Sequence, residues 1–225
     1  PSCYIEGGVG TIESHSTRTY PVSFMNMEEV RLQMATVQKE DVISLFSGKA
    51  FNYDTKYNPR EGFFKIDRLW KLKLKKNQSW WRSIDVDEAL EGKNNGFIFH
   101  QIDALKPLNY DSQYQKAFLQ ITNLGITGKF SSENNLISVN TLDTVQPVPD
   151  AKIEMRNDKN KVIWTGKTGS DGTATSPGWK QLGIEEDGEV WIFAAKDDDI
   201  AFINTGWNWS IPLYTFHLDY YGDSN

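Results

Sequence analysis

A chain of 225 residues with formal net charge −6, 39% hydrophobic and 13% aromatic residues is long enough to bury a core. It falls between one large domain and two small ones at about 100 to 200 residues per domain. No apolar run approaches the roughly 20 residues that cross a bilayer as a helix, and the single cysteine, Cys3, excludes an intrachain disulfide. Residues 1–110 carry +1 (15 Lys+Arg against 14 Asp+Glu) and residues 111–225 carry −7 (9 against 16). An acidic second half repels phosphate backbones, which argues against nucleic acid as a partner. Pro1 opens the sequence with neither an initiator Met nor a signal-peptide pattern, as expected where an export signal has been removed or lies outside this sequence.

Cys3-Tyr4-Ile5-Glu6 offers the thiol no neighbouring His, so Cys3 is expected to be an inert, mobile thiol near a terminus. A strand is expected through Tyr20-Pro21-Val22 and a second through Val30, Leu32 and Met34, where β-branched residues alternate with Arg31 and Gln33. Asp41 to Phe46 reads as a short helix capped by Asp41 and ended by Gly48. Asn58-Pro59-Arg60-Glu61-Gly62 is a turn by composition. From Leu69 to Lys75 an alternation places Leu69, Lys71, Lys73 and Lys75 on one side and Trp70, Leu72 and Leu74 on the other. That pattern suits a strand with a solvated lysine face, which also discourages edge-to-edge aggregation. Trp80 to Val86 and Gly96 to Ile102 read as further strands, with a helical turn at Asp87–Leu90.

Polar residues and Pro107 between Ala104 and Gln115 suggest a boundary near Tyr110, giving units 1–110 and 111–225. The second unit is expected to open with the strand Ala117–Thr122 and to return as Leu136–Asn140. Its organising stretch is Gln146–Pro177. There Ala151–Glu154, Val162–Thr165 and Thr173–Thr175 read as three consecutive antiparallel strands, a β-meander that reverses at Asn157–Lys161 and at Gly169-Ser170-Asp171-Gly172. Pro147-Val148-Pro149 fits the entry to an edge strand. Gly188–Ala195 and Ile200–Ile203 complete the set around an acidic turn, Lys196-Asp197-Asp198-Asp199. Short strands with turns every 8 to 12 residues predict an all-β chain of two tandem antiparallel β-sandwiches of immunoglobulin-like architecture. An aromatic tail, 206–225, follows.

Little in this pattern carries chemistry. His15, His100 and His217 lie far apart with no helical i,i+4 pairing, so no metal site is expected. There is no phosphate-cradling loop ending in Gly-Lys-Ser/Thr and no Gly-x-Ser-x-Gly elbow, so no catalytic residue and no cofactor are expected. Asp197-Asp198-Asp199 is read as a solvated hairpin tip before a calcium ligand set, because neighbouring side chains diverge in an extended chain. Asp171 is read as a turn former. Eight tryptophans raise a sugar-stacking face. Trp164 and Trp191, mid-strand, are assigned to the core, and Trp80, Trp81, Trp207 and Trp209 remain as candidates for a ligand or partner surface.

The run TNLGITGKFSSENNLISVNTLDTVQPVPDAKIEMRNDKNKVIWTGKTGSDGTA, followed by VWIFAAKDDDIAFINT, resembles a macroglobulin-like domain of the bacterial alpha-2-macroglobulin family. In that family a Thr-Asn-Leu-Gly strand leads to a second strand, a Pro-Val-x-x-Ala turn, a Gly-rich hairpin and a charged turn before Ala-Phe, and residues 117–203 follow this order. ESHSTRTYPVSFMNMEEVRLQMATV and GFIFHQIDA are similar to the opening and closing strands of a preceding domain. The resemblance implies a structural, non-enzymatic segment of a large exported protein, periplasmic or envelope-anchored. It implies that the parent traps and inhibits proteases, with neighbouring macroglobulin-like domains as the segment's own partners. The Cys-x-Glu-Gln thioester of that family is absent here. A different class, a carbohydrate-binding or adhesion module of a cell-surface protein, is the alternative expectation, resting on the four candidate tryptophans.

Overall fold

The computed structural model describes residues 2–5, 8–51, 56–72, 75–105, 114–185 and 188–206. Trp207, Trp209 and His217 therefore lie outside the described residues, as do Lys73 and Leu74. In chain order the strands are β1 (Ser2–Ile5), β2 (Val9–Glu13), β3 (Thr19–Met25), β4 (Glu29–Val37), β5 (Ile66–Lys71), β6 (Ser79–Asp85), β7 (Gly96–Ala104), β8 (Tyr114–Thr122), β9 (Leu124–Lys129), β10 (Asn134–Thr141), β11 (Lys152–Asn157), β12 (Val162–Lys167), β13 (Thr173–Pro177), β14 (Val190–Lys196) and β15 (Asp199–Asn204). Among the described residues three short α-helices intervene, α1 (Lys39–Ser47), α2 (Asp87–Leu90) and α3 (Trp179–Leu182), with a 3-10 turn at Lys49–Phe51. The all-β expectation holds.

A five-stranded sheet in the order β2-β8-β7-β4-β5 is the centre of the molecule. Every pair in it is antiparallel except β2 with β8, which run parallel from Val9 opposite Phe118 to Glu13 opposite Thr122. Residues 97–104 of β7 are buried without interruption, the signature of a strand covered on both faces. On one face Val30, Leu32, Met34, Ile98, Ile102, Ala117 and Ile121 meet Tyr20, Val22, Phe24 and Ile84 of a three-stranded sheet, β1-β3-β6, with α2 adding Ala89 and Leu90. Alternation does this directly, because period-two apolar residues on β3 and β4 put one side of each sheet into a common core.

Cys3 departs from its expectation. It sits in β1 opposite Phe24 and packs against this core, and burial pushes its thiol up to about 12. A thiol so placed stays protonated and unreactive at neutral pH.

The second sandwich is built from β13-β10-β9 and β12-β11-β14-β15, closed over Leu124, Ile137, Val139, Val148, Ile153, Met155, Ala174, Val190 and Ile192. Strand positions from Asn134 onward follow the sequence reading, but two connections do not. The three-strand meander is broken, since β12 pairs β11 while β13 crosses to pair β10 in the opposite sheet. Gly169–Gly172 is thus a connection between sheets. There Gly172 has φ +74 and a Cβ would lie 2.7 Å from the Val139 carbonyl oxygen, so both conformation and space require glycine. Asp171 forms that turn as expected, accepting from the Thr173 amide and hydroxyl.

Pro147 likewise does not lead into an edge, because β11 is interior to its sheet, flanked by β12 and β14. Trp164 is half-buried rather than fully internal, its ring lying over Gly166.

The strand expected to open the second unit, Ala117–Thr122, belongs by pairing to the first: β8 lies between β7 and β2. Local composition marks the loop before β8 but not which neighbour the strand will join, a non-local choice made by hydrogen bonding and burial. α1 also differs in detail, because Asp41 lies inside the first turn and Gln38 is the N-cap residue.

Candidate functional site

Three surfaces bring polar or aromatic side chains together. The first is the junction between the sandwiches. The second face of the central sheet carries Phe97, Phe99 and Phe118, and they pack with Val42, Ile43 and Leu45 of α1 against Trp191, Phe193 and Phe202 of β14 and β15. Phe118 and Phe202 meet edge-on at 5.7 Å, and Phe97 and Phe202 at 5.3 Å, arrangements that add to plain burial.

The junction is pinned at its centre and rim. Gln120 donates to the Phe202 carbonyl at 3.0 Å and accepts from the Phe202 amide at 2.8 Å, so a buried side-chain amide extends the backbone pairing of β15. Asp199 accepts from the Thr122 hydroxyl at 2.6 Å and the Asn123 amide at 2.8 Å. The acidic turn is therefore a solvated tip at Asp197 and Asp198 only. At the rim Lys39 of α1 pairs with Glu154 at 3.1 Å, Arg156 also donates to Glu154, and Asn160 donates to the Glu40 carbonyl at 2.7 Å. Burial alone would raise the Glu154 carboxyl, but the hydrogen bonds from Arg156 and Lys39 outweigh it and hold the carboxyl below its ordinary value. An open cleft of about 460 Å³ lies beside these groups, lined by Lys39, Lys152, Glu154, Lys167, Phe193 and Ile200.

The second surface is a polar strip on the same face of the central sheet, beside the aromatic rows. Asp67 receives two bonds from Arg31, both 2.6 Å, and one from Gln33 at 2.9 Å; the Arg31 bonds, aided by Gln33, hold its carboxyl below the usual range. Gln101 bridges Gln33 to both the amide and the carbonyl of Tyr57, and Lys56 reaches Asp103 at 2.6 Å. These bonds fasten residues 56–64 to the sheet, while Tyr57, Phe63 and Phe64 cover Phe99. A shallow cavity of about 280 Å³ beneath this segment is lined by Arg31, Lys56 and Asp67 among others. Arg31 and Lys56 in its lining are already paired with the carboxylates of Asp67 and Asp103, so the strip acts as an anchor whose polar groups satisfy one another.

The third surface holds the described pair of the four candidate tryptophans. Trp80 is 42% and Trp81 56% exposed, but consecutive residues of β6 point to opposite faces. Trp80 pairs with buried Phe24 and Trp81 with Ser23, so the two rings form no common platform of the kind a sugar chain would lie on. Sequence reasoning missed Arg82. Its guanidinium lies 4.1 Å from the centre of the Trp70 ring and 5.9 Å from that of Trp80; the signal was the W-W-R triplet on a strand facing a second tryptophan. Among the described residues no group of three or more His, Cys, Asp or Glu is placed to hold a metal ion. His100 is buried without a hydrogen bond at either ring nitrogen, edge-on to Tyr20 at 5.4 Å, and its surroundings are those of a core residue.

The described residues form two joined immunoglobulin-type sandwiches that meet through an aromatic interface, and their fold is macroglobulin-like. Residues 121–222 match the family model described as the bacterial alpha-2-macroglobulin MG3 domain, so the resemblance to that family drawn from residues 117–203 is borne out. No curated protein matches the sequence. Among solved structures, the chain is similar to native alpha-2-macroglobulin from Escherichia coli spanning domains NIE-MG1, with TM-score 0.71 and 12% identity over 92% of this chain and 98% of that one. A longer E. coli structure, spanning MG0-NIE-MG1, gives TM-score 0.64 at 11% identity over 91% of this chain and 64% of that one. Salmonella alpha-2-macroglobulin reacted with methylamine gives 0.59 at 12% identity over 92% of this chain, which spans 12% of the length of that protein. At such identities these likenesses speak for the fold.

Proposed function

We propose that this chain is a non-catalytic structural segment of a bacterial alpha-2-macroglobulin-like protein, exported to the periplasm or anchored at the envelope, whose parent traps proteases. The observation that carries the reading is the junction: Phe97, Phe99 and Phe118 interlocked with Trp191, Phe193 and Phe202. A trap that rearranges when cut needs arms that hold their shape while other domains move, and a shared aromatic core makes two sandwiches into one arm. Strand pairing supports dividing the arm after Thr122, later than the loop near Tyr110, because β8 completes the first sheet. The match to the family model from residue 121 favours the same division. Neighbouring macroglobulin-like domains of the parent are the expected partners, with proteases met through the parent as a whole.

The parent protein, mixed with trypsin, tests this. Trapping predicts that trypsin loses activity on a large protein substrate while still cleaving a small chromogenic peptide. Equal loss on both substrates, or no loss on either, overturns the protease-trapping part of the reading.

A further inference from the structure

At one flank of the first sandwich β5 and β6 end their respective sheets. Among the described residues both strands have one unpaired edge, and between them the Arg82 guanidinium lies over the Trp70 ring, with the Trp80 ring also near it. Arg82 is exposed, and no carboxylate among the described residues pairs with it. On the outer side of β6, Trp81 is 56% exposed. Exposed Lys75 and Lys76 lie in the connection from β5 to β6. Exposed apolar edge strands recruit further strands; aromatic residues and arginine are the side chains in which binding energy concentrates. A guanidinium that packs over an indole still has N–H donors free for a carboxylate.

We propose that the free edge of β6 is a docking site for an extended polypeptide strand that carries a carboxylate opposite Arg82. The occupant pairs with the backbone of Ser79–Asp85. In such pairing directly opposed residues share a face, so its acidic residue meets Arg82 beside the Trp70 ring. The residue next to it turns to the outer face, where an apolar or β-branched side chain covers Trp81. Arg82 itself, with Lys75 and Lys76 just ahead of β6, favours an acidic strand and disfavours a basic one. This inference is independent of protease trapping, since it concerns only the chemistry of one flank.

A blocked ten-residue peptide of alternating aspartate and valine serves as probe, titrated into the protein while tryptophan fluorescence is followed. A peptide with asparagine in place of aspartate, the Arg82→Gln variant and a Trp81→Ser variant accompany it. Saturable binding is expected with the aspartate peptide, weakened about tenfold or more by either the asparagine substitution or Arg82→Gln, and weakened further at high salt. Circular dichroism of both variants checks that the sandwich is intact, and Trp81→Ser, at an exposed outer position, provides a second reading if Arg82→Gln perturbs folding. Absence of saturable binding up to millimolar peptide overturns the proposal. So does equal affinity of the asparagine peptide, or of Arg82→Gln, for then the carboxylate is not what is recognised. An acidic oligosaccharide binding where the peptide does not would overturn the strand and point to a sugar instead.

Discussion

His100 illustrates how a single side chain in the core sets a property of the whole fold. It lies on β7 between Tyr20 and the apolar residues of the first sandwich, 0% exposed, with neither ring nitrogen bonded. Burial pushes its pKa down to about 3 from the ordinary 6.5. The folded protein therefore holds a neutral imidazole while the unfolded chain takes up a proton below about pH 6.5. Protons bind the unfolded state more, so stability is unaffected above that pH and falls as the pH drops from about 6.5 toward 3. The slope expected from this one group is at most about 1.4 kcal/mol per pH unit. Carboxylates held low in the fold, Asp67 and Glu154 among them, begin to act only nearer their unfolded values, about 4. Urea denaturation of the chain between pH 7 and 5 should show the decline, and His100→Leu should flatten it. A wild-type midpoint constant over that interval would mean the imidazole is hydrated.

At the scale of elements, β8 decides how the two sandwiches are joined. Its alternation puts Ala117, Leu119 and Ile121 into one core and Phe118, Gln120 and Thr122 toward β15. Gln120 is the residue on which the seam turns, because both halves of its amide bond the backbone of Phe202. Gln120→Ala leaves a buried amide and carbonyl without partners, at a cost of about 1 to 3 kcal/mol. Hydrogen exchange should report it locally, as faster exchange of the Phe202 amide, alongside a lower urea midpoint. The same strand shows the limit of reading elements in order. Its position was legible from Ala117 to Thr122 because strand-forming residues follow a polar loop, yet its sheet was not, since pairing depends on residues more than a hundred positions away in Val9–Glu13. β9 went unseen because Gly125 and Gly128 weaken a strand pattern; Phe130 uses the space above Gly128 to stack on Trp179 at 5.5 Å.

For the molecule as a whole, the consequence of one shared core is cooperativity. Phe202 touches aromatic rings from both sandwiches, so Phe202→Ala, a loss of about 3 to 5 kcal/mol, should loosen both at once. Unfolding followed by tryptophan fluorescence and by far-ultraviolet circular dichroism should give coincident transitions in the wild type. Transitions that separate in the wild type would mean that the sandwiches unfold independently and the junction contributes little.

Residue types and their spacing, taken alone, determined that this protein is all β, where most strands run, that Asp171 and Gly172 make a turn, and that residues 117–203 resemble the bacterial alpha-2-macroglobulin family. Those features are local, written in period-two alternation and in residues that tolerate particular backbone angles. Only the tertiary structure decided that β8 closes the first sheet, that β13 crosses between sheets, that Asp199 serves the junction, and that Arg82 lies against the Trp70 ring. Each of those depends on contacts between distant parts of the chain, where burial and hydrogen bonding choose among strands that look alike in isolation.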